Sequence, residues 1–395
     1  MVKTVPAMGW NTWNTFTDKI NEELVLGAAE AMIKSGLKDL GYEYVVIDDC
    51  WSLKERDKDG RLVADPEKFP HGMKYVADKI HEMGLKFGMY SCAGSVTCAR
   101  YPGSYEHEFI DAKTFAEWGV DYLKYDYCFR SVTTPGDILY KRMGIALANC
   151  GREILFSACS WGVDDTHIWI KETGANSWRS TGDIQDSWVS VKSIAQSQMK
   201  AMEYNGQGCF NDMDMLVVGM NNGGRVGGNG CTTEEYFTHF AFWCLFGSTL
   251  MIGCDIRDMS KETVEILSNK NLIRINQDTK ACQPFFIGHR LIKNYKKSID
   301  DPYFYNNYPV DTPVIARYLD DGKIAIGFFN FTDGDVGCWQ MSFVTESLGL
   351  PETSGKTLKL VDVRTGEETI VKNGFFTTDL AAHCSKVYIA EVIDK

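Results

Sequence analysis

The chain has 395 residues, 44% hydrophobic and 24% charged, with 36 glycines and 10 tryptophans, which excludes a mainly disordered protein and allows a large core plus a further module. A formal net charge of −12, with no Lys/Arg cluster, argues against nucleic acid as partner and favours a neutral small molecule. The stretch from Met1 to Trp10 has no apolar signal core, no apolar run reaches about 18 residues, and thirteen cysteines between Cys50 and Cys384 form no metal-type pair of pairs; the expectation is a soluble, cytoplasmic protein without a zinc module, disulfide scaffold or membrane contact.

From Met8 to about Leu267 short strand-like runs alternate with helical patterns. Eight strands are predicted, at Met8-Gly9-Trp10, Tyr44 to Ile47, Lys86 to Tyr90, Tyr122-Leu123-Lys124, Ile154-Leu155-Phe156, Asn176-Ser177-Trp178, Gly208-Cys209-Phe210 and Leu250-Met251-Ile252. Helical patterns run from Asn21 to Ser35, Met73 to Met83, Phe109 to Trp118, Asp137 to Cys150, Ser187 to Met202 and Thr233 to Leu245, with Asn21 as an N-cap and Gly36, Gly84 and Gly119 as stops. Eight βα units in about 260 residues predict a (β/α)₈ TIM barrel; a doubly wound sheet is disfavoured because no Gly-x-Gly-x-x-Gly follows an early strand. After Asp278 the texture turns to β-rich runs at Phe285 to Ile287, Val314 to Tyr318, Ile324 to Phe331, Leu358 to Val363 and Lys386 to Ile389, with turns at Asp321-Gly322 and Asp333-Gly334. The division expected is a catalytic barrel over residues 1–282 and an antiparallel β-sandwich over residues 283–395.

In the fourth strand Lys124 and Asp126 are two residues apart, hence on one face, where the cation would favour the ionised carboxylate. The plain alternative is a strand-end salt bridge. If the strand count holds, Trp10, Asp48, Asp49, Lys124, Asp126, Arg179, Asp183, Asp212 and Asp214 converge on the barrel's catalytic face. Carboxylates with a Lys, an Arg and indoles suit a polyhydroxylated ring; the absence of His at these strand ends lowers a zinc site, while Mg²⁺ held by carboxylates stays open. Glycoside hydrolysis requires two carboxyl groups with different tasks. Asp126 beside Lys124 is expected to stay charged, and Asp183, in the loop from Arg179, is expected to keep a proton through burial.

Met8-Gly9-Trp10-Asn11-Thr12-Trp13, Ile47-Asp48-Asp49-Cys50-Trp51, Thr97-Cys98, Pro102-Gly103-Ser104, Leu123-Lys124-Tyr125-Asp126, Ser177-Trp178-Arg179 with Gly182-Asp183-Ile184, and Asn211-Asp212-Met213-Asp214-Met215-Leu216 together resemble glycoside hydrolase family 27, which contains α-galactosidases and α-N-acetylgalactosaminidases. The resemblance spans the barrel in order, and the β-rich end is similar to the family's C-terminal sandwich. It implies a retaining double displacement without cofactor or metal, Asp126 being the nucleophile and Asp183 the general acid, then base. It also implies Asp48 and Asp49 on the galactose 4- and 6-hydroxyls, Lys124 on neighbouring hydroxyls, Trp10 on the sugar face, Arg179 near the 2-position, and Tyr90, Asp214 and Met215 completing the wall. Trp10 and Tyr90 could instead be core aromatics, Asp49 a loop cap and Met215 a plain wall residue. Cys98 and Cys128 match positions bridged in secreted relatives, and Cys50 lacks the partner usual in the family.

Cys159-Ser160-Trp161-Gly162-Val163 departs from many α-galactosidases, which carry Glu at the Ser160 position. Serine there is similar to the N-acetylgalactosaminidases, whereas Val163 is larger than the Ala of a full acetamido pocket. The expectation is therefore a retaining exo-α-galactosidase on a galactoside or galactosaminide substrate, with an α-N-acetylgalactosaminidase as near alternative, and a non-catalytic sugar-binding barrel or a Mg²⁺-dependent lyase or isomerase as readings of other classes.

Overall fold

The computed structural model describes residues 4–288, 310–337 and 340–395. All eight expected strands form, as β1 (Met8–Asn11), β2 (Tyr44–Val46), β3 (Lys86–Cys92), β4 (Tyr122–Asp126), β5 (Leu155–Cys159), β6 (Ser177–Arg179), β7 (Phe210–Asp212) and β8 (Leu250–Ile252). They pair in parallel in the order β8-β1-β2-β3-β4-β5-β6-β7. The barrel closes just past β7, where the Leu216 amide donates to Met251 O at 2.7 Å and the Gly253 amide to Leu216 O at 2.9 Å. Val45, Ile47, Phe87, Met89, Leu123, Phe156 and Ala158 are wholly or almost wholly buried, as strands covered on both faces require.

The covering helices include α1 (Glu22–Lys34), α2 (Gly72–Glu82), α3 (Glu108–Trp118), α4 (Gly136–Ala148), α5 (Trp188–Gln198) and α6 (Thr233–Phe246). Asn21 caps α1 by accepting from the Leu24 amide, and α6 opens with a capping box between Thr232 and Glu235. Gly119 ends α3 in the left-handed region, φ 85°, where a side chain would be strained. Helix α6 is buried almost throughout because it lies between the barrel and the C-terminal sheet, so no amphipathic stripe marks it. Short helices at Thr166–Trp169, Lys261–Leu267 and Lys270–Asn276 are additional to the sequence expectation; one to two turns are too short to register as a period.

The C-terminal part is antiparallel. β9 (Phe285–Phe286), β10 (Val314–Tyr318), β11 (Ile324–Phe329), β13 (Lys356–Asp362), β14 (Glu368–Ile370) and β16 (Ser385–Asp394) form a sheet ordered β9-β10-β11-β16-β13-β14, and β12 (Ser342–Val344) pairs with β15 (Phe375–Thr377). Ile326, Phe328, Phe343, Leu358, Leu360 and Tyr388 fill a separate core between the two sheets. Phe329, Phe331 and Ile389 instead join the barrel's core, where Phe242 of α6 meets Phe329 and Phe331 edge-on. Among the described residues no helix is long and apolar enough to cross a membrane.

Candidate active site

The parallel ladder fixes which side chains meet at the C-terminal rim. Register pairs Tyr90 with Lys124, Asp126 with Cys159, and Arg179 with Asp212. Every second residue points inward, so adjacent strand ends bring these groups onto one floor.

Lys124 binds Asp48, not its neighbour along the strand: its Nζ lies 2.8 Å from Asp48 Oδ2 and 4.0 Å from Asp126 Oδ1. Asn11 Nδ2 donates to the same Asp48 oxygen at 2.8 Å, and the Asp49 amide donates to Oδ1. Burial disfavours the Lys124 charge, yet Asp126 and Asp48 outweigh it and hold the ammonium charged well above its ordinary range. Asp49 accepts from Thr97 Oγ1 and the amides of Ala99 and Cys50, at 2.9, 2.9 and 2.7 Å. Its pKa is raised by burial in spite of those donors. Both carboxylates are thus fixed in direction before any ligand arrives.

Asp126 is buried. Its Oδ2 accepts from Tyr90 Oη at 2.8 Å and faces Cys98 Sγ at 3.6 Å, whereas Oδ1 is buried without a hydrogen-bond partner among the described residues. Burial pushes this carboxyl above its usual range, with Asp48 adding to the effect and Lys124, Cys159 and Tyr90 opposing it. Lys124 does favour the ionised form of Asp126, as expected, but its short contact is to Asp48 and desolvation outweighs it, so the net direction is upward.

Arg179, almost fully buried at the end of β6, donates from Nη2 to Asp183 Oδ1 at 2.8 Å, lies 2.7 Å from Asp214 Oδ2, and reaches Cys159 Sγ at 3.6 Å. Burial would raise the Asp183 pKa, but Arg179 and Lys124 lower it below the ordinary value; its side chain is 77% exposed. The expected rise of the Asp183 pKa through burial is therefore outweighed, because an arginine four residues back reaches the carboxylate and lowers it. Asp214, at φ 79°, accepts from the amides of Ile184 and Met215 at 2.7 Å each, and burial pushes it up to about 6 although Arg179 acts against this. It clamps Arg179 and the Asp183 loop.

Trp10 has no exposed surface and its indole N–H donates to Cys254 O at 2.8 Å, so it lies under the site as core. Tyr90 and Met215 are also buried. Ser160 is fully buried with its hydroxyl 2.7 Å from Thr166 Oγ1, turned away from solvent. Cys98 and Cys128 are joined, Cα atoms 5.3 Å apart, in a disulfide that links the loops after β3 and β4. Their sulfurs and an Asp126 oxygen are also the one metal-type cluster among the described residues, but sulfurs bonded to each other are poor ligands. Cys50 is free and buried.

Thr97, Ala99, Asn11 and Cys159 carry functions that residue type did not reveal. The first three aim carboxylates through amide or hydroxyl donors, and such donors leave no sequence signature. Cys159 stands between Asp126 and Arg179, and the strand register opposite Asp126 is the signal that could have found it.

A family model described as Melibiase_2, Alpha galactosidase A, matches residues 5–278. Alpha-galactosidase 3 of Arabidopsis thaliana is 51% identical over 70% of this chain and 61% of its own length, so the match spans less than two thirds of that relative. The alpha-galactosidase of Cyamopsis tetragonoloba is 42% identical over 97% of this chain and 85% of its own. Among solved structures, alpha-galactosidase I from Mortierella vinacea superposes with a TM-score of 0.85 at 33% identity, covering 98% of this chain and 97% of that one. The alpha-galactosidase of Saccharomyces cerevisiae with raffinose gives 0.84 at 29% identity, covering 99% and 98%.

Proposed function

The chain belongs to glycoside hydrolase family 27, the α-galactosidase family, and from that premise we propose that it is a retaining exo-α-galactosidase releasing terminal α-galactose from oligosaccharides of the raffinose kind. The observation that carries the mechanism is the buried Asp126 Oδ1, which has no hydrogen-bond partner among the described residues while Oδ2 of the same carboxyl is tied to Tyr90. An orphaned carboxylate oxygen costs free energy unless it has a task, and attack on an anomeric carbon is one.

In the first displacement Oδ1 bonds to the anomeric carbon as the bond to the leaving oxygen breaks, and Asp183 passes its proton to that oxygen. Asp183 then takes a proton from water, whose oxygen replaces Asp126 and returns the sugar with its configuration kept. Competence needs Asp126 ionised and Asp183 protonated, the reverse of the directions in which their surroundings push the free protein. Lys124 lowers both carboxyls and Arg179 lowers Asp183, and an aglycone that covers the exposed Asp183 removes water from it and raises its pKa.

Asp48 and Asp49 supply galactose recognition: carboxylates held by Lys124, Asn11, Thr97 and Ala99 accept the 4- and 6-hydroxyl protons, and a glucose epimer leaves one of them unpaired. The acetamido alternative draws no support from Ser160, whose hydroxyl is committed to Thr166. The test is hydrolysis of matched chromogenic α-galactoside and α-N-acetylgalactosaminide, with the first-formed anomer read by NMR. Preferential cleavage of the galactoside with α-galactose formed first is expected; β-galactose first, or cleavage of the acetamido sugar alone, contradicts the proposal.

A further inference from the structure

Just outside the disulfide that borders Asp126, two residues that are not glycine adopt left-handed backbone conformations and face one another: Arg100 at φ 62° and Phe129 at φ 45°. Such conformations are costly for bulky side chains and persist where the surroundings impose them for a purpose. Here they are imposed. A Cβ on Gly94 would lie 1.9 Å from Cys128 O and 2.6 Å from the Phe129 carbonyl carbon, so the loop after β3 presses directly on this backbone. Lys54 Nζ holds the loop after β3 in turn by donating to Ala99 O at 2.9 Å and Arg100 O at 3.3 Å. The disulfide from Cys98 to Cys128 staples the two loops together.

The outcome is a rigid support that presents its side chains outward. Phe129 is 47% exposed, and the Arg100 guanidinium carbon lies 4.5 Å from its ring centroid. Among the described residues no carboxylate pairs with Arg100, so its N–H groups are available to a ligand. Phe129 follows Asp126 by three residues, at most about 10 Å of chain, a span that a hexosyl leaving group covers.

We propose that Phe129 and Arg100 form the platform that receives the first sugar ring of the aglycone, Phe129 covering its C–H face and Arg100 donating to its hydroxyl edge. This rests on the galactosidase reading and deepens it by naming the residues that hold the leaving group's pyranosyl ring. An apolar ring with a cation held over it matches a surface with one C–H face and peripheral hydroxyls.

The test compares kcat/KM for an α-1,6-linked galactosyl disaccharide with that for α-galactosyl fluoride, whose leaving group has no ring to rest on the platform. In Phe129→Ala the ratio of disaccharide to fluoride is expected to fall about tenfold, in line with the loss of one ring–ring contact. Phe129→Trp restores the ratio, and Arg100→Ala lowers it. Fluoride turnover reports directly that each variant is folded. An unchanged ratio in Phe129→Ala overturns the platform while leaving the galactosidase reading intact; a wild-type protein that turns over neither substrate overturns both.

Discussion

Tyr90→Phe isolates the hydrogen bond that orients the nucleophile. Tyr90 Oη donates to Asp126 Oδ2 at 2.8 Å, and that oxygen also faces the Cys98 sulfur at 3.6 Å. A hydrogen bond to an ionised group contributes about 1.5–3 kcal/mol. The contribution belongs to the carboxylate form, so its loss raises the Asp126 pKa, by about one to two pH units at 1.36 kcal/mol per unit. Asp126 must be ionised to attack, and its protonation sets the acidic limb of activity. The limb of kcat/KM for an aryl α-galactoside therefore moves to higher pH in the variant, with the deficit largest below the limb and shrinking as pH rises past it. A pH–rate series on wild type and variant measures the displacement. An unmoved limb, or one displaced to lower pH, refutes the assignment of Asp126 as the group whose ionisation limits the reaction.

Three further expectations rest on separate contacts. Asp183→Asn removes the proton donor, so hydrolysis of a disaccharide drops by about 10²–10⁴-fold while an activated fluoride is affected far less; parallel losses on both would deny Asp183 the acid role. Lys124→Met strips Asp48 of its 2.8 Å partner at a site where the carboxylate side chain is 2% exposed, and urea denaturation should register a loss of about 3–5 kcal/mol. A loss under about 1 kcal/mol, the scale of an exposed pair, would contradict the burial argument. His239 is fully buried, accepts the Val217 amide proton at Nε2 and is pushed by burial down to about 3. The unfolded chain binds this proton near pH 6.5 and the folded one does not, so stability falls as pH drops from about 6.5 towards 3; melting temperatures over that range should decline more steeply for wild type than for His239→Phe, and identical slopes would exclude the ring as a contributor.

Strand positions were legible because parallel strands buried on both faces read as short apolar runs, and each run ends where the chain turns toward the rim, as at Tyr122–Asp126. Helix α6 was legible as a pattern but not as an interface, since its uniform apolarity reflects contact with the barrel on one side and Phe329 and Phe331 on the other. At the site, residue identity located the charged groups but not their pairing. Lys124 faces both Asp48 and Asp126, and only three-dimensional register decides that Asp48 takes the short bond. For Asp183 the loop sequence spoke of burial, while the outcome turned on an arginine four positions earlier whose guanidinium is steered by Asp214 from the loop after β7. Donors such as Thr97 Oγ1 and the Ala99 amide were illegible, because any backbone amide can serve and nothing in composition records which does.

A slowly turned-over fluorinated α-galactosyl fluoride that accumulates the covalent intermediate tests the central claim most directly. Mass spectrometry of the intact protein and of its peptides should show one fluorogalactosyl group, attached to the peptide that carries Asp126, and its absence from Asp126→Asn. An adduct on another residue, or turnover of the reagent with no adduct and inverted product, would contradict the account.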